Sequence, residues 1–277
     1  MRKTNSKSIL GRTAAAGALL LGAAFAGQAA MACTLDNWSS NTGAVTAGDP
    51  LNDSIARYAG ICGMEVTGAG YVQDDNPGGI DRIVARTYVW AGNSDLAEVY
   101  AGYGDTSGGS ERFNVTIDAT GTVTLTYTET SPSVSQPGNP NAWNSIEVDW
   151  AQGAGTGVIS LSVNGATATE NDTLSNSGAQ LQSVRLGNPN THGGPTYSAA
   201  YESRRITAVG RLCNCNVNGD AGDVVNVQDV IQIVTEAGGG ALATGTPDCS
   251  QDGLINVQDV IQIVTLAGTT GACQVTQ

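Results

Sequence analysis

The chain has 277 residues, of which 40% are hydrophobic and 13% charged, and 25 acidic residues against 12 basic ones give a net charge of −13. That balance excludes the basic footprint of a nucleic-acid-binding protein and would be repelled by anionic membranes. A single histidine, His192, excludes a histidine-rich metal centre.

The chain begins with a basic stretch from Met1 to Arg12, continues apolar to about Gly27, and reaches Ala30-Met31-Ala32 just before Cys33. This order predicts a secretory signal peptide over residues 1–32, cleaved near Ala32, with an apolar run too short to span a membrane. The product is expected to be secreted, extracellular or periplasmic. Cleavage removes four of the 12 basic residues and no acids, leaving eight against 25, a charge of −17, and no lysine. Such an acidic surface fits solubility, calcium affinity or a saline habitat. A leading Cys33 suits a lipoprotein, although Ala30 stands where a lipobox usually has Leu. Six cysteines in an exported chain favour disulfides over metal thiolates. Cys33 and Cys62 are expected to pair. Cys213, Cys215, Cys249 and Cys273 allow three connectivities, and Cys213 or Cys215 with Cys273 is preferred, because packing two repeats together brings the ends of the segment close.

Residues 33–212 are long enough for one domain with a full core. Alternating or apolar runs predict strands at 80–90, 97–103, 112–117, 122–127, 145–150, 157–163, 181–186 and 201–209, separated by clusters of Gly, Asn, Asp, Ser and Pro. Many short strands without a competing helical period predict a β-sandwich.

Three segments carry a family likeness: Trp143-Asn144-Ser145-Ile146-Glu147-Val148-Asp149-Trp150, the run 157–165 ending in Val163-Asn164-Gly165, and Val184-Arg185-Leu186-Gly187. They resemble the jelly roll of concanavalin A-like lectins, glucanases and laminin-G domains, where a strand rich in Trp and acids precedes a hairpin turning on Val-Asn-Gly. The resemblance implies a fold more than a function. Glycosidases on that jelly roll carry acids as E-x-D-x-x-E or E-x-D-x-E along one strand, so Glu147 and Asp149 are the catalytic candidates. Period two puts both on one strand face. The third position holds Ala151 or Gln152, so the carboxylate pair that retaining hydrolysis needs is incomplete. Solvated acids opposite an inward-facing Ile146, Val148 and Trp150 explain the same residues, and no catalytic residue is assigned. Trp143 shares the phase of the two acids and is a candidate sugar platform, against simple packing. His192 reads as a loop residue.

The C-terminal quarter holds a duplication. Asn-Val-Gln-Asp-Val-Ile-Gln-Ile-Val-Thr occurs at 226–235 and again at 256–265. Before the second copy, Asp248, Ser250, Asp252, the Leu254 carbonyl, Asn256 and Asp259 fall at positions 1, 3, 5, 7, 9 and 12 of a loop with Gly253 at 6. That is the spacing of an EF-hand-type calcium loop, since a hard cation needs oxygens around a sharp turn. In the first copy, Asn216, Asn218, Asp220, Asn226 and Asp229 take the corresponding roles over 14 residues, with two residues inserted and Asp223 as a further candidate ligand. Fewer charges predict weaker binding there. Each loop feeds a short helix whose apolar residues, Val227, Val230, Ile231, Ile233 and Val234 or Val257, Val260, Ile261, Ile263 and Val264, are expected to pack the copies together, with Gly238 and Gly268 as stops.

A loop closing on Asp, an exiting helix only, and two copies 30 residues apart resemble the dockerin modules of secreted and cellulosomal proteins, over roughly 213–273. The resemblance implies calcium as cofactor and a cohesin-like protein as partner, gripped by the outer helix faces. The repeat of Gln228, Gln232 and Thr235 as Gln258, Gln262 and Thr265 would permit two orientations, and Glu236 against Leu266 breaks the symmetry. The positions equivalent to the Ser-Thr pair of many dockerins hold Val-Gln in both copies. The expected organisation is a signal peptide at 1–32, a concanavalin A-like sandwich at 33–212 and a dockerin-like tandem EF-hand-type module at 213–277. The expected function is a secreted calcium-binding protein whose non-catalytic, lectin-like sandwich binds a glycan, such as a polysaccharide, or a protein. The alternative is a glycoside hydrolase acting on O-glycosyl bonds in polysaccharide catabolism.

Overall fold

The computed structural model describes residues 33–91, 96–190, 193–220 and 225–269. Residues 1–32, the expected signal peptide, and His192, Asp223 and Cys273 lie outside the described residues.

Twelve strands precede two helices: β1 Ser40–Gly48, β2 Gly63–Asp74, β3 Arg82–Ala91, β4 Ala97–Tyr103, β5 Glu111–Ile117, β6 Thr122–Tyr127, β7 Ser133–Pro137, β8 Asn144–Ala151, β9 Ala154–Val163, β10 Thr169–Ser175, β11 Ser183–Asn188, β12 Thr196–Arg204, α1 Val227–Ala237 and α2 Val257–Thr269. Every pairing is antiparallel. The order runs β10-β9-β8-β3-β12-β2-β11-β4-β5-β6-β7, with β1 added on β2.

The sheet folds over itself into a sandwich. Phe113 of β5 and Trp150 of β8, far apart in strand order, bring their ring centroids to 6.2 Å. The ends of the path nearly close through Gln136 of β7, whose Oε1 accepts from the Val163 backbone N–H of β9 and whose Nε2 donates to the Thr167 carbonyl. Period two sets the core: Phe113, Val115 and Ile117 on β5 and Ile146, Val148 and Trp150 on β8 all point inward. Each such side chain, moved out of water, contributes about 2–3 kcal/mol against the conformational entropy of folding.

Seven of the eight expected strands form with bounds within a few residues. The eighth starts earlier than expected, at Thr196, because Tyr197 and Ala199 pair with Trp90 and Tyr88 of β3. β1, β2, β7 and β10 were not expected. β2 is broken by glycines, β7 ends in Pro137, and β10 is polar and largely exposed at an edge. Their ladders are supplied by neighbours rather than by local pattern.

Cys33 pairs with Cys62 as expected, which leaves no thiol on Cys33 for lipidation. Cys215 pairs with Cys249, so of the two preferred links, Cys213 or Cys215 to Cys273, the one through Cys215 does not form, while the other involves Cys273, outside the described residues. Cys213 is disulfide-bonded too, so none of Cys213, Cys215 and Cys249 is a free thiolate for a metal. The Cys215–Cys249 bond staples the start of the first loop to that of the second.

The C-terminal segment has its own small core of Cys215, Val217, Val225, Ile233, Ala243, Cys249 and Ile263. Even so, it belongs to the same compact unit as the sandwich. It covers the outer face of β8-β3-β12, where Tyr58, Tyr88, Trp143 and Ala199 form a second buried cluster with Leu212 against it. Backbone N–H groups bond across this junction. Leu212 N–H donates to the Tyr88 hydroxyl at 2.8 Å, Trp143 N–H to the Gln251 carbonyl at 3.1 Å, and Gly60 N–H to the Gly245 carbonyl at 3.2 Å.

Candidate calcium loops and the junction cavity

The two loops share one hydrogen-bond frame. Asp259 accepts from the backbone N–H of Ser250 at 2.9 Å through Oδ1 and of Asn256 at 2.8 Å through Oδ2. Asp229 accepts in the same way from Asn218 at 3.0 Å and Asn226 at 2.8 Å. The equivalence aligns 218 with 250, 226 with 256 and 229 with 259, so the two extra residues of the first loop fall between Asn218 and Asn226. Each loop then caps its helix: Asn226 and Asn256 accept from the N–H of Gln228 and Gln258 at 2.7 Å, and Asp229 completes a capping box. Gly253 adopts φ +87°, the left-handed conformation that the sharp turn requires.

Inside the second loop, Asp248 accepts from the N–H of Asp252 and Gly253 at 3.2 and 2.8 Å. Asp248 is 1% exposed and Asp259 0%. None of the ion pairs among the described residues reaches either carboxylate. Burial first, then the charges of Asp259 and Asp252, raise Asp248 from 3.8 to about 7, against the opposing hydrogen bond from Gly253. Converging, buried carboxylates without a basic side chain fit a hard cation. Among the described residues no three His, Cys, Asp or Glu side chains converge into a metal site by themselves. Any ion here therefore needs the hydroxyl, amide and carbonyl oxygens as well.

The helices differ from expectation in what they bury. Only Val230, Ile233, Val260 and Ile263 of the two apolar sets join the small core. Val227, Ile231 and Val234 are 67%, 61% and 51% exposed, and Val257, Ile261 and Val264 are 67%, 62% and 51% exposed. The spacing i, i+4, i+7 puts these three on one stripe, about a third of a turn or more from the Asp229, Ile233 and Glu236 face that α1 buries. α2 also continues past Gly268 to Thr269, so that glycine does not stop it.

Glu236 and Leu266 lie on the inward faces, away from the stripes. Leu266 packs on the small core. Glu236 forms a buried bidentate pair with Arg57, at 2.6 and 2.8 Å, with side chains 3% and 0% exposed. Its Oε2 also accepts from the Ala243 N–H at 2.6 Å. The break in repeat symmetry therefore anchors the first helix to the sandwich and leaves the two outer faces equivalent.

Glu147 and Asp149 share the outer face of β8, as period two requires, but each has a structural partner. Asp149 pairs with Arg82 of β3, its Oδ1 accepting from Nε at 2.9 Å, and Glu147 accepts from the Gly210 N–H in the segment leading to the repeats. Trp143, the candidate platform, is wholly buried against Tyr58, with ring centroids 5.9 Å apart. It does lie on the outer side, but the C-terminal segment covers it.

Two features escaped sequence reading. One is a buried polar cluster on the outer side of β2-β11-β4-β5, where Arg185 lies between the Tyr71 and Tyr103 rings, at 4.1 and 4.4 Å. Nearby, burial and then Glu111 push Glu98 up to about 8, against Arg185. The other is a cavity of about 620 Å³ at the junction, lined by Leu51, Arg57, Trp90, Tyr197, Glu236 and residues 252–255. Neither was visible locally, since each gathers residues from four or more separate segments. Neither Glu147 nor Asp149 lines it.

Among the described residues no helix is long and apolar enough to cross a membrane. No protein-family model matches the sequence, and no curated protein sequence does. Among solved structures, similar chain traces occur in the botulinum neurotoxin type G receptor-binding domain (TM-score 0.44, 11% identity, 61% of this chain and 43% of that one). Others are the cellulose-induced protein Cip1 (TM-score 0.44, 10% identity, 62% and 94%) and a Trypanosoma rangeli sialidase (TM-score 0.41, 11% identity, 52% and 26%). The chain thus spans less than half of the neurotoxin structure and about a quarter of the sialidase. Likenesses this weak carry no argument about this chain, whose antiparallel β-sandwich rests on the strand pairings themselves.

Proposed function

We propose that the chain is an exported calcium-binding protein in which two dockerin-like loop–helix units form a protein-docking surface on a non-catalytic, lectin-like sandwich. The observation that carries this reading is the matched pair of exposed stripes, Val227-Ile231-Val234 and Val257-Ile261-Val264, each rising from a loop closed by a buried Asp. An apolar stripe left in water on both copies has no packing role in this fold and fits a partner surface. A cohesin-like protein is the partner that the dockerin resemblance implies. Identical outer faces support docking in either of two orientations related by a half-turn.

Calcium would be held in the second loop by Asp248, Ser250, Asp252, the Leu254 carbonyl, Asn256 and Asp259. In the first it would be held by Asn216, Asn218, Asp220, Asn226 and Asp229. The ion would neutralise the buried carboxylates and fix the loop ends of helices too short to be stable alone. Glycan binding by the sandwich belongs to the same reading. Hydrolysis through Glu147 and Asp149 is not favoured, as both acids are engaged by structural partners. The Cys33–Cys62 and Cys215–Cys249 disulfides fit an oxidising compartment and so support export.

Calorimetric titration of the full chain with calcium tests the reading. Two events of unequal affinity are expected, the tighter one lost in Asp252→Ala. Unchanged calcium binding in that variant refutes the ligand assignment.

A further inference from the structure

Trp90 of β3 and Tyr197 of β12 are register partners on the outer face of the sheet. Their rings sit 5.4 Å apart at 58°. The other large aromatics of this face, Tyr58, Tyr88 and Trp143, are fully buried beneath the C-terminal segment. Trp90 and Tyr197 stay half-buried and line the junction cavity together with residues 252–255 of the second loop, where Gly253 lies beside the Trp90 indole edge. Tyr197 stands directly opposite Glu65 in the β2–β12 pairing. A volume of about 620 Å³ is that of a small-molecule site.

The cavity's charges are already committed. Arg57 is bonded to Glu236, and Asp252 is a calcium ligand in the reading above. With no free cation among the lining residues an anion finds no partner, and a cation finds no free carboxylate. What remains is a pair of inclined aromatic rings, an apolar rim at Leu51 and Leu254, and polar groups at Ser54 and along the loop backbone. That surface suits a neutral ligand with an apolar C–H face edged by hydroxyls, which is a pyranose ring.

We propose that the junction cavity binds a neutral saccharide, held against the inclined rings of Trp90 and Tyr197, and that calcium in the 248–259 loop controls its affinity by ordering the wall at 252–255. The inference rests on the calcium reading of that loop. Coupling of this kind is reciprocal, so the sugar tightens calcium binding by the factor by which calcium tightens sugar binding.

The test uses the full chain with cellotetraose, laminaritetraose and xylotetraose, read by titration calorimetry and tryptophan fluorescence in calcium and in excess chelator. At least one sugar is expected to bind in calcium and to weaken at least about tenfold without it. Tyr197→Ala should weaken binding by about tenfold, and Leu51→Trp, at an exposed rim position, should block it without disturbing the core. Absence of binding by all three sugars in calcium overturns the proposal, as does binding indifferent to both substitutions. Equal affinity with and without calcium overturns the coupling. Calcium titration without sugar separates the two readings. Calcium heat with no sugar binding removes the cavity inference alone, whereas no calcium heat removes the loop assignment and the coupling together.

Discussion

Replacing Glu236 by Leu, the residue that the second repeat carries at position 266, should destabilise the protein by about 4 kcal/mol. Removing one member of a buried ion pair leaves an uncompensated charge, at a cost of roughly 3–5 kcal/mol. Here the side chains of Arg57 and Glu236 are 0% and 3% exposed, so water cannot replace the lost carboxylate. Burial already pulls the Arg57 guanidinium down from its usual range, and the charge of Glu236 opposes that. The Ala243 N–H loses its acceptor as well, while the Gly60 carbonyl still accepts from Arg57 and limits the loss. Urea unfolding of the oxidised full chain in saturating calcium measures the change. The double variant Arg57→Met, Glu236→Leu should recover most of it, because two apolar side chains of similar volume replace the pair. A loss below about 1 kcal/mol for Glu236→Leu, or a double variant as unstable as the two single changes added together, would refute the argument that this pair locks the repeats to the sandwich.

Calcium affinity in the second loop should weaken as pH falls from about 7, because Asp248 must ionise to bind, and calorimetry across that range checks it. In excess chelator the sign reverses. A carboxyl raised from 3.8 to about 7 contributes stability that is complete below the lower value and lost as pH rises through the upper one. Glu98, pushed up to about 8, acts in the same direction, so Glu98→Gln should flatten the loss of stability seen by urea unfolding between about pH 5 and about pH 9; an unchanged slope counts against a neutral Glu98. Asp149→Asn should cost no more than about 1 kcal/mol, since Arg82 and Asp149 are 43% and 24% exposed. Ile231→Asp combined with Ile261→Asp should leave the melting temperature within a few degrees of the parent, as both side chains face water; a large drop would mean that the stripes pack within the fold.

Much of the sandwich was legible because period two is written directly into strands such as β5 and β8, where alternate residues are apolar. Strands without such a pattern, β1 and β10 above all, exist because a neighbour offers a free edge, and that information lies elsewhere in the chain. The calcium-type loops were legible for the opposite reason. Their donors lie within 12 or 14 residues, and the frame around Asp229 and Asp259 is local. Of the apolar helix residues expected to pack, Val230, Ile233, Val260 and Ile263 do, and Val227, Ile231, Val234, Val257, Ile261 and Val264 face water instead. A helix has two sides, and only the partner decides which one is inside. Trp143 fell to the same limit, since strand phase gave its side but not the segment that covers it.

By itself the sequence determined the strand-rich class, the duplication with its oxygen-bearing loops, the Cys33–Cys62 bond and the outward phase of Glu147 and Asp149. All of these depend on short-range spacing or on simple counting. Only the tertiary structure decided that Cys215 joins Cys249, that Glu236 ends beneath the first helix against Arg57, and that Trp90 and Tyr197 line a cavity together with the second loop. Those contacts join residues 34 to 179 positions apart or more than a domain's length of strands. Chain spacing carries no record of such distances, because what fixes them is how the sheet closes and which of its faces is left for the C-terminal segment to cover.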